Sequence, residues 1–263
     1  MLILAFPKTE VSVLSWIAFV PLLFVLKRST LRGCFWFSYL CGFLFFLGTV
    51  FWLRHVTAIG MIFLIAYLSI YFGLFGYIYA YLRREGVLQQ LFVIPSVWVG
   101  LEFLRANLLS GFGWVSLGYS QYTNLELIQI AKITGVYGVS FLIVFVNTAI
   151  HQIVEQTISV GMNPQQSHQR ENQRRNYYLS VGVITLLMSS VLLAVHLFGA
   201  GQLAEKTLGF RRISVGIIQP DIPQELKWSS WAWAAVMDKQ IKLTKEVSRK
   251  GPQLIVWPET SLP

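Results

Sequence analysis

The sequence predicts a polytopic α-helical membrane domain over residues 1–200, followed from residue 210 by the start of an α/β domain. Three observations lead there. Only 13% of the residues are charged and mean hydropathy is +0.57, whereas a soluble domain carries about a quarter of its residues as charges. Apolar runs of roughly bilayer length follow one another through the first 200 residues. Beyond residue 210 the pattern turns to short β-branched runs around an amphipathic stretch, as in a water-soluble domain.

Residues 1–6, MLILAF, are apolar but too few to span, and read as the end of an earlier span. They lack the charged segment and small-residue cleavage site of a signal peptide. Runs at 11–26, 33–53, 56–82, 86–109, 127–154 and 177–199 predict six spans. The first is short. The fourth holds Pro95, Glu102 and Arg105, which predicts a kink or a partly re-entrant course. Glu102 and Arg105 lie three apart on one helix face, so an intramembrane ion pair is expected, either structural or marking a substrate path.

Basic residues separate the loops into two classes. Lys27, Arg28 and Arg32 share one loop, Arg83 and Arg84 another, and Arg170, Arg174 and Arg175 a third. These alternate with loops poor in Lys and Arg. Basic loops stay cytoplasmic, so everything after about residue 200 is expected on the far side of the membrane. Topology therefore accounts for the net charge of +9, and nucleic acid is not an expected partner. Tyr177 and Tyr178 suit an interfacial aromatic belt. The Gln- and Asn-rich stretch 155–176 reads as a cytoplasmic linker. No internal repeat is evident.

Further on, "RRISVGIIQPDIP" predicts a strand stopped by Pro220 and Pro223, residues 230–250 a helix ended by Gly251, and "QLIVW" a second strand. Together they predict a βαβ unit with parallel strands. Glu259 falls just past the carboxyl end of the second strand, where open α/β sheets carry their chemistry. Beside Trp257 and Pro258 it is expected to be partly desolvated, a setting for general-base work. The other reading is a turn acid on a solvated loop.

Other reactive residues are less promising. Cys34 and Cys41 lie seven apart on one helix, their Cα atoms roughly 10 Å apart, too far for a disulfide. A thiol in hydrocarbon stays protonated, so packing is their expected role. His55, His151 and His196 show no ligand spacing, and no metal site is expected.

Five stretches carry a family resemblance. "LAFPKTEVSVLSWIAFVPLL" and "WVGLEFLRANLLSGFGWVSLGYSQ" come first, then "GVYGVSFLIVFVNT" and "VGIIQPDIPQELKW", and "VWPET" stands where a glutamate motif belongs. In this order they resemble the bacterial apolipoprotein N-acyltransferases, a branch of the nitrilase (carbon–nitrogen hydrolase) superfamily. The resemblance implies an αββα nitrilase-like domain on the periplasmic side of the inner membrane. It implies N-acylation of the lipid-modified N-terminal cysteine of bacterial lipoproteins, the diacylglyceryl lipoprotein being the acceptor and a phospholipid the acyl donor. The relay is a Cys thioester in a Glu-Lys-Cys triad, with no cofactor and no metal. Glu259 matches the general base, and Trp228 matches the "KW" of an arm beside the active site.

Trp114 and Tyr119, in "GFGWVSLGYSQ", either shape lipid access or anchor the interface. Trp231 and Trp233 either sit above the membrane or pack a helix on the sheet. The family's Lys and Cys follow its glutamate, whereas Lys245 and Lys250 precede Glu259 and neither membrane Cys matches the nucleophile. The chain is therefore expected to be a fragment, inactive alone and loosely ordered after residue 210, unless a second chain supplies the missing Lys and Cys. Two other readings stand beside this one: a membrane-anchored amidase of the same superfamily, and a non-catalytic membrane scaffold or relic.

Overall fold

A computed structural model describes residues 1–7, 9–109, 111–162, 167–204, 212–223, 226, 229 and 231–259. The chain divides into two units, Met1–Glu205 and Lys206–Pro263. The first is helical: α1 (Val20–Arg28), α2 (Leu31–Thr49), α3 (Ala58–Leu82), α4 (Val87–Asn107), α5 (Leu125–Ile128), α6 (Ala131–Met162) and α7 (Ser167–Ala204). Among the described residues, five helical stretches are long and apolar enough to cross a bilayer: Leu31–Thr49, Ala58–Leu82, Val87–Asn107, Ala131–Val160 and Tyr177–Ala204. This is the make-up of a multi-pass membrane protein. Polar 155–176 does not form an irregular linker throughout. Its Gln, Glu and Arg residues are good helix formers, and they extend α6 to Met162 and begin α7 at Ser167. Residues 163–166 lie outside the described residues.

Small residues set the approach of α2 to α3. A Cβ on Gly76 would stand 2.2 Å from the Cys34 carbonyl oxygen and 2.2 Å from Ser38 Oγ. One on Gly42 would stand 2.7 Å from the Phe72 side chain. Cys34, Ser38 and Gly42 recur every fourth residue on α2; Gly76 of α3 lies against the first two, and Phe72 of α3 against Gly42. Lipid tails are as apolar as Leu, so such close backbone contact is what holds membrane helices together. Aromatic rings fill the space beside this seam. Trp98 of α4 meets Phe19, Phe72 and Phe75 edge-on at centroid distances of 4.6, 4.8 and 5.2 Å.

The stretch 11–26 is not the continuous helix its hydropathy suggests. A 3-10 turn, Ser12–Trp16, is followed by a break and then by α1, with Pro21 in its first turn. Proline cannot donate the N–H that a continuing helix would need and fits only at a helix start. The segment nevertheless runs from one end of the bundle to the other. Gln121 Nε2 donates to the Ser12 carbonyl at 3.0 Å, while Arg83 Nη1 donates to the carbonyls of Leu26, Lys27 and Ser29 at 2.7, 3.0 and 2.7 Å. Broken backbone at membrane depth must find partners inside the protein. Asn147 of α6 supplies them: its Oδ1 accepts from Phe19 N–H at 2.9 Å and its Nδ2 donates to the Ser15 carbonyl at 2.9 Å.

The second unit holds strands β1 (Val215–Ile217) and β2 (Leu254–Val256) and the helix α8 (Trp233–Ser248) between them. β1 and β2 pair in parallel, Val215 opposite Leu254 and Ile217 opposite Val256, the βαβ arrangement the sequence pattern predicts. Gly216 permits α8 to lie on the sheet, since a Cβ there would meet Val247 at 2.3 Å. Trp257 Nε1 donates to Thr244 Oγ1 of α8 at 3.1 Å and ties down the end of β2. Side chains alternate along each strand, so Val215, Ile217, Leu254 and Val256 share the other face, and all four are exposed.

Candidate functional site

Where α4 ends, the chain folds back instead of leaving the bundle. Phe112 N–H donates to the Arg105 carbonyl at 2.9 Å, and Gly111 takes φ 75°. A side chain on Gly111 would meet the Ala106 carbonyl oxygen at 2.1 Å, so only glycine fits. The returning segment ends in a 3-10 turn, Leu117–Gln121, whose first amides need partners. Leu117 N–H donates to Glu102 Oε1 at 2.7 Å and Gly118 N–H to Ser140 Oγ at 2.9 Å. Arg105 Nη2 donates to Ser116 Oγ at 3.2 Å, and its guanidinium lies 5.3 Å from the Phe46 ring centre.

Glu102 and Arg105 lie within electrostatic reach of each other, as their spacing suggests, and each also makes a separate hold on the returning segment. Both side chains are buried, 5% and 3% exposed. They line a small pocket of about 350 Å³ with Tyr71, Trp98, Val115 and Leu117.

Trp114 and Tyr119 come together on a second, open cleft of about 950 Å³, completed by Thr49, Val50, Trp52, Gly113 and Val115. Trp52 stacks on Trp114 with ring centres 5.0 Å apart and planes at 28°. Close by in sequence, Arg54 lies over the Phe51 ring at 4.1 Å. Both tryptophans and Tyr119 are exposed. This is an amphipathic aromatic surface at the end of the bundle away from Lys27, Arg28 and Arg83.

In the second unit Glu259 follows Trp257 and Pro258 past the carboxyl end of β2, and it is exposed. The Trp257 indole is turned onto Thr244. Trp228 lies outside the described residues. Trp231 is exposed and Trp233 begins α8. Among the described residues no three His, Cys, Asp or Glu side chains gather in a way that could hold a metal ion.

Sequence reasoning passed over the buried amides. Besides its bond to Ser12, Gln121 donates to Ser15 Oγ at 2.8 Å and accepts from Trp16 Nε1 at 3.1 Å, joining the N-terminal turn to the turn behind the cleft. Gln152 Nε2 donates to Gln90 Oε1 at 2.5 Å, linking α6 to α4. A signal was present in each case, since amides inside apolar runs must find partners.

Comparison with known proteins gives these features a context. A family model described as the apolipoprotein N-acyltransferase N-terminal domain matches residues 1–149. The Apolipoprotein N-acyltransferase of Geobacter metallireducens is 33% identical over 278 aligned residues, covering 100% of this chain and 50% of that protein. Its namesake from Chlorobaculum tepidum is 27% identical, covering 98% of this chain and 46% of that protein. That of Pasteurella multocida is 24% identical, covering 99% and 48%. The chain thus spans about half the length of the curated relatives it matches. A match that takes in the N-terminal turns, α1 to α4, the aromatic cleft and most of α6 makes this chain a member of the apolipoprotein N-acyltransferase family.

Proposed function

We propose that the protein acts in the N-acylation of bacterial lipoproteins, moving an acyl chain from a phospholipid to the α-amino group of a diacylglyceryl-modified N-terminal cysteine. The observation that carries this reading is the family match over residues 1–149. In this reading residues 210–263 are the N-terminal part of an αββα nitrilase-like domain in the periplasm. The membrane is the bacterial inner membrane. Clustering of Lys27, Arg28, Arg32, Arg83 and Arg84 at the end of the bundle away from the Trp52–Trp114 cleft supports that topology. The apolar, uncovered sheet face of Val215, Ile217, Leu254 and Val256 supports a further layer packed upon it.

The chemistry is a covalent relay. Glu259 takes the proton of a cysteine thiol, and the thiolate attacks the acyl carbonyl of the phospholipid. The ester C–O bond breaks, lysophospholipid leaves with a proton, and a thioester remains. The lipoprotein amine then attacks the thioester carbonyl, Glu259 accepts the amine proton, and the C–S bond breaks to return the thiol. The Lys and Cys of this triad are those that follow the glutamate in the family pattern. Exposure of Glu259 past the carboxyl end of β2 supports its access to such partners. Trp114, Tyr119 and Trp228 are proposed to contact lipid.

A chimera tests the reading: residues 1–263 joined to the second half of the Geobacter metallireducens relative, reconstituted with phospholipid and a diacylglyceryl lipopeptide. Amide-linked product by mass spectrometry is expected, and Glu259→Gln should abolish it. A folded chimera that makes no such product, while the parent relative does, sinks the proposal. Ammonia released from a soluble amide without phospholipid would point to an amidase instead.

A further inference from the structure

Between Leu108 and Gln121, three of the described residues take left-handed backbone. Leu109 and Val115 both take positive φ, 50° and 52°, on either side of Gly111 at 75°. For a β-branched residue such as Val115 this is an outlier, kept only where the surroundings over-determine it. Val115 also lies at the junction of the two cavities, lining the buried pocket on one side and the aromatic cleft on the other. Immediately after it come the two anchor points, Ser116 Oγ on Arg105 and Leu117 N–H on Glu102. Trp114, immediately before it, forms the stack with Trp52.

From this juxtaposition we infer that Glu102 and Arg105 are positioning residues, a buried latch that holds residues 111–121 in their strained course and so assembles the Trp52–Trp114–Tyr119 cleft. Neither side chain lines the cleft itself, so they act on it through the segment. Glu102 fixes the start of the 3-10 turn. Arg105 fixes the residue before it. An acceptor and a donor both out of water give these two bonds more than ordinary weight. With the latch released, the backbone of Val115 is free to relax to negative φ, which swings Trp114 away from Trp52.

The cleft's role as a lipid contact rests on the function proposed above, but the latch is read independently of it. Hydrogen exchange of the 263-residue chain in lipid nanodiscs is the measurement. Glu102→Ala should speed exchange of amides in 111–121 by about tenfold, the loss of one buried bond, while α2 and α3 keep their protection. Glu102→Gln, which retains an oxygen acceptor for Leu117, should restore most of the protection. Ser116→Ala, a smaller change that spares the fold if Glu102→Ala does not, should loosen the same amides by about threefold.

Unchanged exchange in Ser116→Ala and Glu102→Ala would overturn the latch, as would equal loosening of α2 and α3. A diazirine phospholipid in the same nanodiscs separates the two ideas. Loss of labelling at Trp52 and Trp114 in Glu102→Ala supports latch and cleft together. A loosened segment with no labelling even in the wild type supports the latch and refutes the lipid contact.

Discussion

The two units expose apolar side chains for opposite reasons. In the membrane unit Ile59, Phe63 and Leu186 stand 71%, 72% and 68% exposed, while Asn147, Gln121, Glu102 and Arg105 are buried with bonded partners. That inversion suits hydrocarbon as solvent, where every polar group has to be satisfied internally. In the second unit Ile217, 75% exposed, sits with Val215, Leu254 and Val256 on one face of a two-stranded sheet whose other face is covered by α8. A two-stranded sheet is marginal in water, and an apolar sheet face implies a partner layer. Equal exposure therefore suits hydrocarbon in one unit and leaves an apolar sheet face uncovered among the described residues of the other.

The sharpest way to break the membrane unit is to fill its tightest seam. Gly76→Leu puts a side chain where Cys34 and Ser38 already stand 2.2 Å from the position of a Cβ. The helices α2 and α3 must then part, at a cost of about 3 kcal/mol, the upper end for overpacking. Lost monodispersity in detergent, or a markedly lowered Tm, is the expected result.

Asn147→Leu asks a subtler question of the same unit. It leaves the Phe19 amide and the Ser15 carbonyl facing a methyl group at the break before α1. Measured amide bonds between membrane helices are weak, but two orphaned backbone groups should cost about 2 kcal/mol together. Thermal unfolding would show the loss. Asn147→Gln, which keeps the amide at a longer reach, should not recover all of it.

These residues also mark how far the sequence could be read. Helical spans were legible because hydropathy needs only composition over about 20 residues. The break at 17–19 was not, because a window average is blind to backbone continuity; Pro21 was the available sign. Glu102 was recognised as a residue with a task, and spacing suggested Arg105 as its partner. Its bond to Leu117, fifteen positions on, depends on the fold-back that Gly111 permits. Periodicity of small residues at Cys34, Ser38 and Gly42 was in plain view, yet its packing against α3 is a tertiary fact. Trp114 and Tyr119 were chosen from composition, and the structure adds Trp52, which no local pattern joins to them.

The second unit should respond more weakly. Trp257→Phe removes the 3.1 Å bond to Thr244 while keeping an aromatic ring on α8. A single neutral bond is worth about 1 kcal/mol. Amides of β2 should exchange a few-fold faster, and those of α2 and α3 should not change. Even in the wild type, amides at 212–259 are expected to exchange faster than those of α2 and α3, because so thin a unit buries little surface.

The smallest effect is the most informative about the uncovered face. Ile217→Lys places a charge on a side chain that is already 75% exposed. In this chain it should shift stability by no more than about 0.5 kcal/mol, as surface substitutions do. The same change at a buried strand position would be severe, since an unpaired charge must be desolvated. Lys at 217 thus distinguishes a solvated surface from a waiting interface. In the chimera that supplies a further layer, Ile217→Lys should cost several-fold in soluble yield. Equal tolerance in both settings would mean that Val215, Ile217, Leu254 and Val256 face water by design and that the layer packs elsewhere.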